Sequence, residues 1–187
     1  MARTWASKVV LTGTPKRLCG GIGEVTFGPD VNLLVGPNGC GKSTILRILR
    51  DKNWREDEGC EVWVEGDKNL NWVAFDAEQD NPRAKGGTGP LQFMSSVGSH
   101  GEVQRRVFQF IDDRLRPGMQ VMLDEPEAAM DIDGVRRFFN LVQKRQGTQW
   151  IIATHHPLLW RLPGARVIEL RPGYMDRTRA FMREFLG

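Results

Sequence analysis

Val31-Asn32-Leu33-Leu34-Val35, followed by Gly36-Pro37-Asn38-Gly39-Cys40-Gly41-Lys42-Ser43-Thr44, decides how this chain is read. The second stretch fits G-x-x-x-x-G-K-[ST] and lies between an apolar strand-like run and a helical pattern. Its three glycines let the backbone turn sharply and close its N–H groups around phosphate oxygens. The helix that follows, Lys42 to about Arg50, brings its N-terminal partial positive charge to the same spot. Lys42 is expected to reach the β- and γ-phosphates of a nucleotide, and Ser43 to ligate Mg²⁺.

The rest of the chain alternates strands with helices. Val9-Val10-Leu11 and Gly23 to Phe27 read as strands which, with the one ending at Val35, form a small antiparallel N-terminal section. Glu61–Glu65 and Leu70–Phe75 read as strands joined across the polar turn Gly66-Asp67-Lys68-Asn69. Periodicity is lost from Asp76 to about Gly98, where Asn81-Pro82, Gly86-Gly87 and Gly89-Pro90 break regular structure; 80–98 is an irregular loop or minimal subdomain. Helices are expected at Glu102–Leu115, Val135–Arg145 and Arg177–Phe185, and strands at Gln120–Leu123, Gln149–Ala153 and Ala165–Leu170. This order implies a single α/β domain over 1–187, with a mainly parallel sheet flanked by helices. In such sheets ligands gather at the carboxyl ends of the strands.

Composition narrows the classes. No run approaches the roughly 18 apolar residues of a membrane span. The N-terminus carries no secretory pattern, and Cys19, Cys40 and Cys60 lack C-x-x-C spacing, so the expected location is cytoplasmic and reducing. A net charge of +3 is compatible with nucleic-acid contact without arguing for it.

Val121-Met122-Leu123 delivers two adjacent carboxylates, Asp124 and Glu125, to a strand end. Neighbours on a strand point to opposite sides, so the two have separate work: Asp124 toward Mg²⁺, Glu125 toward an attacking water. Asp131 reads as the N-cap of the next helix. Ser99 to Glu102 is S-x-x-E, a capping box, and a helix N-terminus with a serine hydroxyl and a glycine amide is an anion site. Ile151-Ile152-Ala153-Thr154-His155-His156-Pro157 is a buried strand ending in histidines.

Asp124-Glu125-Pro126-Glu127-Ala128-Ala129-Met130-Asp131 resembles the fused Walker B and D-loop of the ABC-class ATPases. Gly98-Ser99-His100-Gly101-Glu102-Val103-Gln104-Arg105 resembles their signature, with His100 for a glycine and Glu102 for the glutamine. The S-H-G-E form and the A-T-H-x-P switch are similar to those of small, soluble, stand-alone members. The resemblance implies a P-loop fold with a much reduced helical subdomain, and ATP hydrolysis with Mg²⁺ at the interface of a head-to-tail dimer. It implies Glu125 as base, His155 as switch residue, and Ser99, His100, Gly101, Glu102 and Asp131 as groups working across to the partner subunit. It also implies a Q-loop glutamine on Mg²⁺; Gln79 takes that place, with Glu78 and Asp76 as alternatives. The family's adenine-stacking aromatic is not evident near the N-terminus, and Arg17 is offered to stack on the purine instead. His156 occupies the variable position and is expected to be structural. The implied function is a switch or motor for an unidentified protein partner, in nucleic-acid transactions or phage defence. The alternative is the nucleotide-binding subunit of a membrane transporter. The twenty positions from Gln79 to Ser99 (99 − 79) leave no room for the helical subdomain with which transporter motors grip a permease, nor for a long coiled coil.

Overall fold

The computed structural model describes residues 6, 8–12, 23–50, 61–65, 72–76, 108–109, 111–128 and 130–186. Its centre is a five-stranded parallel sheet. In spatial order the strands are β5 (Trp72–Asp76), β6 (Gln120–Asp124), β7 (Gln149–Thr154), β3 (Val31–Val35) and β8 (Arg166–Glu169). Beside it lies a three-stranded antiparallel sheet in the order β2 (Glu24–Thr26), β1 (Lys8–Thr12), β4 (Glu61–Glu65).

Side-chain alternation on the parallel strands builds a core on each face. Leu34, Met122, Ile151 and Ala153 point to one side and meet Ile45, Leu46, Ile48 and Leu49 of α1 (Lys42–Arg50), together with Val9 and Val25 of the small sheet. Leu33, Val35, Val121, Leu123, Trp150 and Ile152 point to the other. There they meet Val135, Phe138, Leu141 and Val142 of α2 (Ile132–Lys144), along with Ile111 and Leu115. Strands covered on both faces must be apolar throughout, which is why β3, β6 and β7 read as near-continuous hydrophobic runs. The chain closes with α3 (Tyr174–Leu186), which begins three residues before the expected Arg177 because Glu169 accepts from the Gly173 and Met175 amides and seats its first turn.

Polar side chains at the strand starts are buried but matched. Asn32 accepts from the Gly28 amide at 2.7 Å and donates to the Gly28 and Trp150 carbonyls at 2.9 and 3.2 Å. Gln149 donates to the Ala6 and Gly28 carbonyls and accepts from Gln120 at 2.6 Å. These bonds pin the 28–30 turn to the amino edge of the sheet and leave its carboxyl edge for the site.

Two expectations about strand partnership are corrected. The strand ending at Val35 is not part of the antiparallel section; it is next to β7 and β8 in the parallel sheet, and β4 takes the expected place beside β1. Glu61–Glu65 and the following strand do not form a hairpin, since β4 pairs with β1 and β5 pairs in parallel with β6. A turn containing glycine permits a hairpin but does not require one; the partner is chosen by which apolar face each strand must cover. Part of the helix expected at Glu102–Leu115 is present, at 108–109 and 111–114, and its earlier residues lie outside the described residues, as does the irregular stretch from 80 to 98.

Candidate functional site at the carboxyl edge of the sheet

The phosphate-loop sequence folds as a tight arch between β3 and α1. A Cβ at Gly36 would lie 2.6 Å from Cys40 Sγ, so any side chain there would force the buried Cys40 to shift. Gly39 and Gly41 have φ of 76° and 99°, which side chains disfavour. The Cys40 amide donates to the Pro37 carbonyl at 3.3 Å, and the Ile45 amide to Gly41 at 3.0 Å as the helix begins. Ser43 and Thr44, half-buried, occupy the first turn of α1.

Lys42 is 4% exposed and bends back over its own loop. Its Nζ donates to the Gly36 and Pro37 carbonyls at 3.1 and 3.2 Å and lies 3.7 Å from Glu125 Oε1. Two carbonyl hydrogen bonds and the carboxylate charge 3.7 Å away offset the burial of this cation.

Glu125 follows the last residue of β6. Its φ of 48° is left-handed, costly for a residue with a long side chain, and the surrounding bonds hold it there. Its amide donates to the Ala153 carbonyl at 2.9 Å, and its carbonyl accepts from Ala128 at 3.0 Å, closing a turn around Pro126. That turn swings the carboxylate between two loops. The same Oε1 that faces Lys42 lies 3.2 Å from His155 Nδ1. With Nδ1–H donating to the carboxylate, Nε2 is left as an acceptor. Lys42, Glu125 and His155 therefore converge from three separate loops. Asp124 is buried at the strand end, as expected of a residue pointing the other way from Glu125.

Sequence reasoning did not single out Glu127 or Thr154, and the structure places both beside this triangle. Glu127 is buried, its Oε1 accepts from the Thr154 hydroxyl, and Oε2 is buried without a hydrogen-bond partner among the described residues. Burial pushes the Glu127 carboxyl above 4.5 and the Glu125 charge adds to this, while the Thr154 hydrogen bond and the His155 charge oppose it. The available signal was a hydroxyl residue ending an otherwise apolar strand, with a second glutamate just past the proline.

The sign of the pH effect follows from that burial. Above 4.5 the folded chain retains a proton that the unfolded chain has released, so this group makes stability fall as pH rises toward its folded value. Glu127→Gln keeps the shape and removes the titration. Its melting temperature relative to wild type is expected to climb as pH rises above about 4.5 and to level off below about pH 4. A difference that stays flat across that range would contradict the assignment.

The remaining expected residues are placed as follows. Asp131 caps α2, accepting from the Gly134 amide at 2.6 Å, and its exposed carboxylate lies 3.6 Å from Arg137 Nη2. The His156 amide donates to Thr154 Oγ1, and its Nδ1 accepts from the Leu158 amide at 3.3 Å, local contacts that suit the structural role expected of it. Asp76 ends β5 in register with Asp124. Arg17, Glu78, Gln79, Ser99, His100, Gly101 and Glu102 lie outside the described residues. No group of three metal-ligating His, Cys, Asp or Glu side chains occurs among the described residues. Ser43 and Asp124 nevertheless offer the hard oxygen donors that suit Mg²⁺, which takes one or two protein ligands and completes its shell with phosphate and water.

Residues 22–51, spanning β2, β3, the phosphate loop and α1, match a family model described as an AAA domain. Among solved structures the chain is similar to a bacterial Atm1-family ABC exporter with ATP bound, at 15% identity and a TM-score of 0.57, over 95% of this chain. The fold is that of an ABC-type P-loop ATPase domain. The chain corresponds to 42% of the exporter chain's length. A nucleotide-free ATP-binding cassette from an ABC transporter is also similar, at 19% identity and a TM-score of 0.47, over 90% of this chain and 87% of that one. No curated protein matches. Within this ABC-type fold, no helix of the described residues is long and apolar enough to cross a membrane.

Proposed function

We propose that the chain binds ATP with Mg²⁺ and hydrolyses it, as a single domain acting in a head-to-tail homodimer. The observation that carries this reading is the convergence of Lys42, Glu125 and His155 at the mouth of a G-x-x-x-x-G-K-S loop. Lys42, at the mouth of the loop, binds the β- and γ-phosphates of ATP. The loop amides and the start of α1 hold the remaining phosphate charge. Glu125 accepts the proton of the attacking water, and His155 orients that water or the γ-phosphate through Nε2. Bound Mg²⁺, held by Ser43 and Asp124 with Gln79 as the Q-loop ligand, would neutralise charge on the β- and γ-oxygens.

Glu125 and His155 are partly open to solvent, with side chains 34% and 41% exposed, which fits a pocket whose other wall comes from a partner. Ser99, His100, Gly101, Glu102 and Asp131 are the groups proposed to form that wall. The use of the cycle is as a switch or motor for a cytoplasmic protein partner, in nucleic-acid transactions or phage defence. The likeness to an exporter's ATP-bound structure keeps a transporter's nucleotide-binding subunit as the second reading. The Glu125→Gln chain, purified with ATP, separates the two: co-purifying nucleic acid or a nuclease supports the first, and a permease supports the second.

Lys42→Ala tests the site itself. A charge-assisted hydrogen bond contributes about 1.5–3 kcal/mol, so affinity for a fluorescent ATP analogue is expected to fall about 10–100-fold. Unchanged affinity would rule out this loop as the nucleotide site.

A further inference from the structure

The proposed chemistry leaves unused a second bridge between the loops that carry Glu125 and His155. Thr154 ends β7, and its hydroxyl accepts from the His156 amide at 3.0 Å while donating to Glu127 Oε1. His155 is therefore bracketed: the residue before it and the residue after it are both tied through one hydroxyl to a carboxyl of the neighbouring loop. Glu127 is itself fixed, two residues beyond Glu125, across buried Pro126, with its carbonyl accepting from the Met130 amide at 2.9 Å. Two rungs thus join the loops, Glu125 with His155 and Glu127 with Thr154.

A carboxyl is a costly filler for a buried position, and Glu127 Oε2 has no partner among the described residues to offset that cost. An apolar side chain would fill the volume more cheaply. It could not accept the Thr154 proton, and without that bond the hydroxyl would be free to turn and the 154–156 backbone would lose its tie to the turn that positions Glu125.

We propose that Glu127 is a positioning residue, which through Thr154 fixes the backbone on both sides of His155 and so sets the imidazole against Glu125. This deepens the hydrolytic reading and depends on it for its kinetic readout.

The test compares E127A, T154V, the double variant and E127Q with wild type, at one pH, in ATP turnover and in the ¹⁵N shifts of the His155 ring. Misplacing a group by about 1 Å can cost 10²-fold, so E127A and T154V are each expected to lower kcat about 10–100-fold, with KM for ATP changed less than about twofold. Because both break one chain of contacts, the double variant should be no slower than the slower single variant. The side-chain amide oxygen introduced by E127Q can accept the same proton, so that variant should recover most of the loss. The His155 ring shifts should move in E127A and T154V and return in E127Q. Unaltered turnover in both single variants, multiplied losses in the double variant, or an E127Q as slow as E127A would each overturn the proposal. If E127A does not fold, T154V, nearly isosteric with wild type, carries the test with E127Q. A wild-type chain without ATPase activity would defeat the hydrolytic reading alone. The ring shifts would still decide the role of Glu127, since an unmoved His155 ring in T154V overturns it.

Discussion

Glu125→Gln is expected to lower ATP turnover about 10²–10⁴-fold, the scale of a lost general base, while ATP binding persists. The amide keeps the volume and leaves the Ala153 and Ala128 backbone bonds that hold the turn. It loses the charge and the ability to take a proton from water. Lys42 keeps its two carbonyl partners, and without the carboxylate 3.7 Å away its ammonium is drawn more freely to phosphate, so affinity should hold or rise. Single-turnover hydrolysis with equilibrium binding of an ATP analogue separates the two effects. A variant that hydrolyses at the wild-type rate would remove Glu125 from the chemistry. A variant that loses ATP binding together with turnover would make the role of Glu125 structural. The φ of 48° makes the choice of Gln important, since a residue that shifts the turn would carry the side chain at 125 away from Lys42 and His155 together.

The phosphate loop, the two faces of the parallel sheet and the crowding of polar residues at one edge were legible in the sequence because each has a local cause. Glycines at 36, 39 and 41 answer to close approach or positive φ, and the alternation of Leu33, Leu34 and Val35 divides their side chains between two cores. The membership of β3 and β4 was not legible, because it depends on which distant strand covers which face. β3 is held between β7 and β8, strands more than 100 residues later. The second rung was hidden for the same reason. Glu127 and Thr154 are 27 positions apart and become meaningful only when β6 and β7 lie side by side in register.

Phe138→Ala is expected to be among the most destabilising single truncations in the described core. Phe138 is fully buried on α2, edge-on to Trp150 with ring centres 6.4 Å apart and against Phe108 at 5.4 Å. Removing such a ring leaves a cavity that its neighbours fill only partly, and the loss is about 3–5 kcal/mol. For a chain of this size each 1 kcal/mol moves the melting temperature by about 2–4 °C, so the midpoint should drop by roughly 6–20 °C. Phe185, 65% exposed on α3 and beside the exposed Phe181, is the control: its truncation should stay within about 0.5 kcal/mol. Equal losses for the two would mean that α2 does not pack on β7 as described. The consequence would extend to the site. Trp150 is near the start of the strand that ends before His155, and α2 begins directly after the turn that carries Glu125 and Glu127. Loosening Phe138 therefore loosens the contact that holds these two loops in register, and turnover in Phe138→Ala should fall further than its folded fraction accounts for.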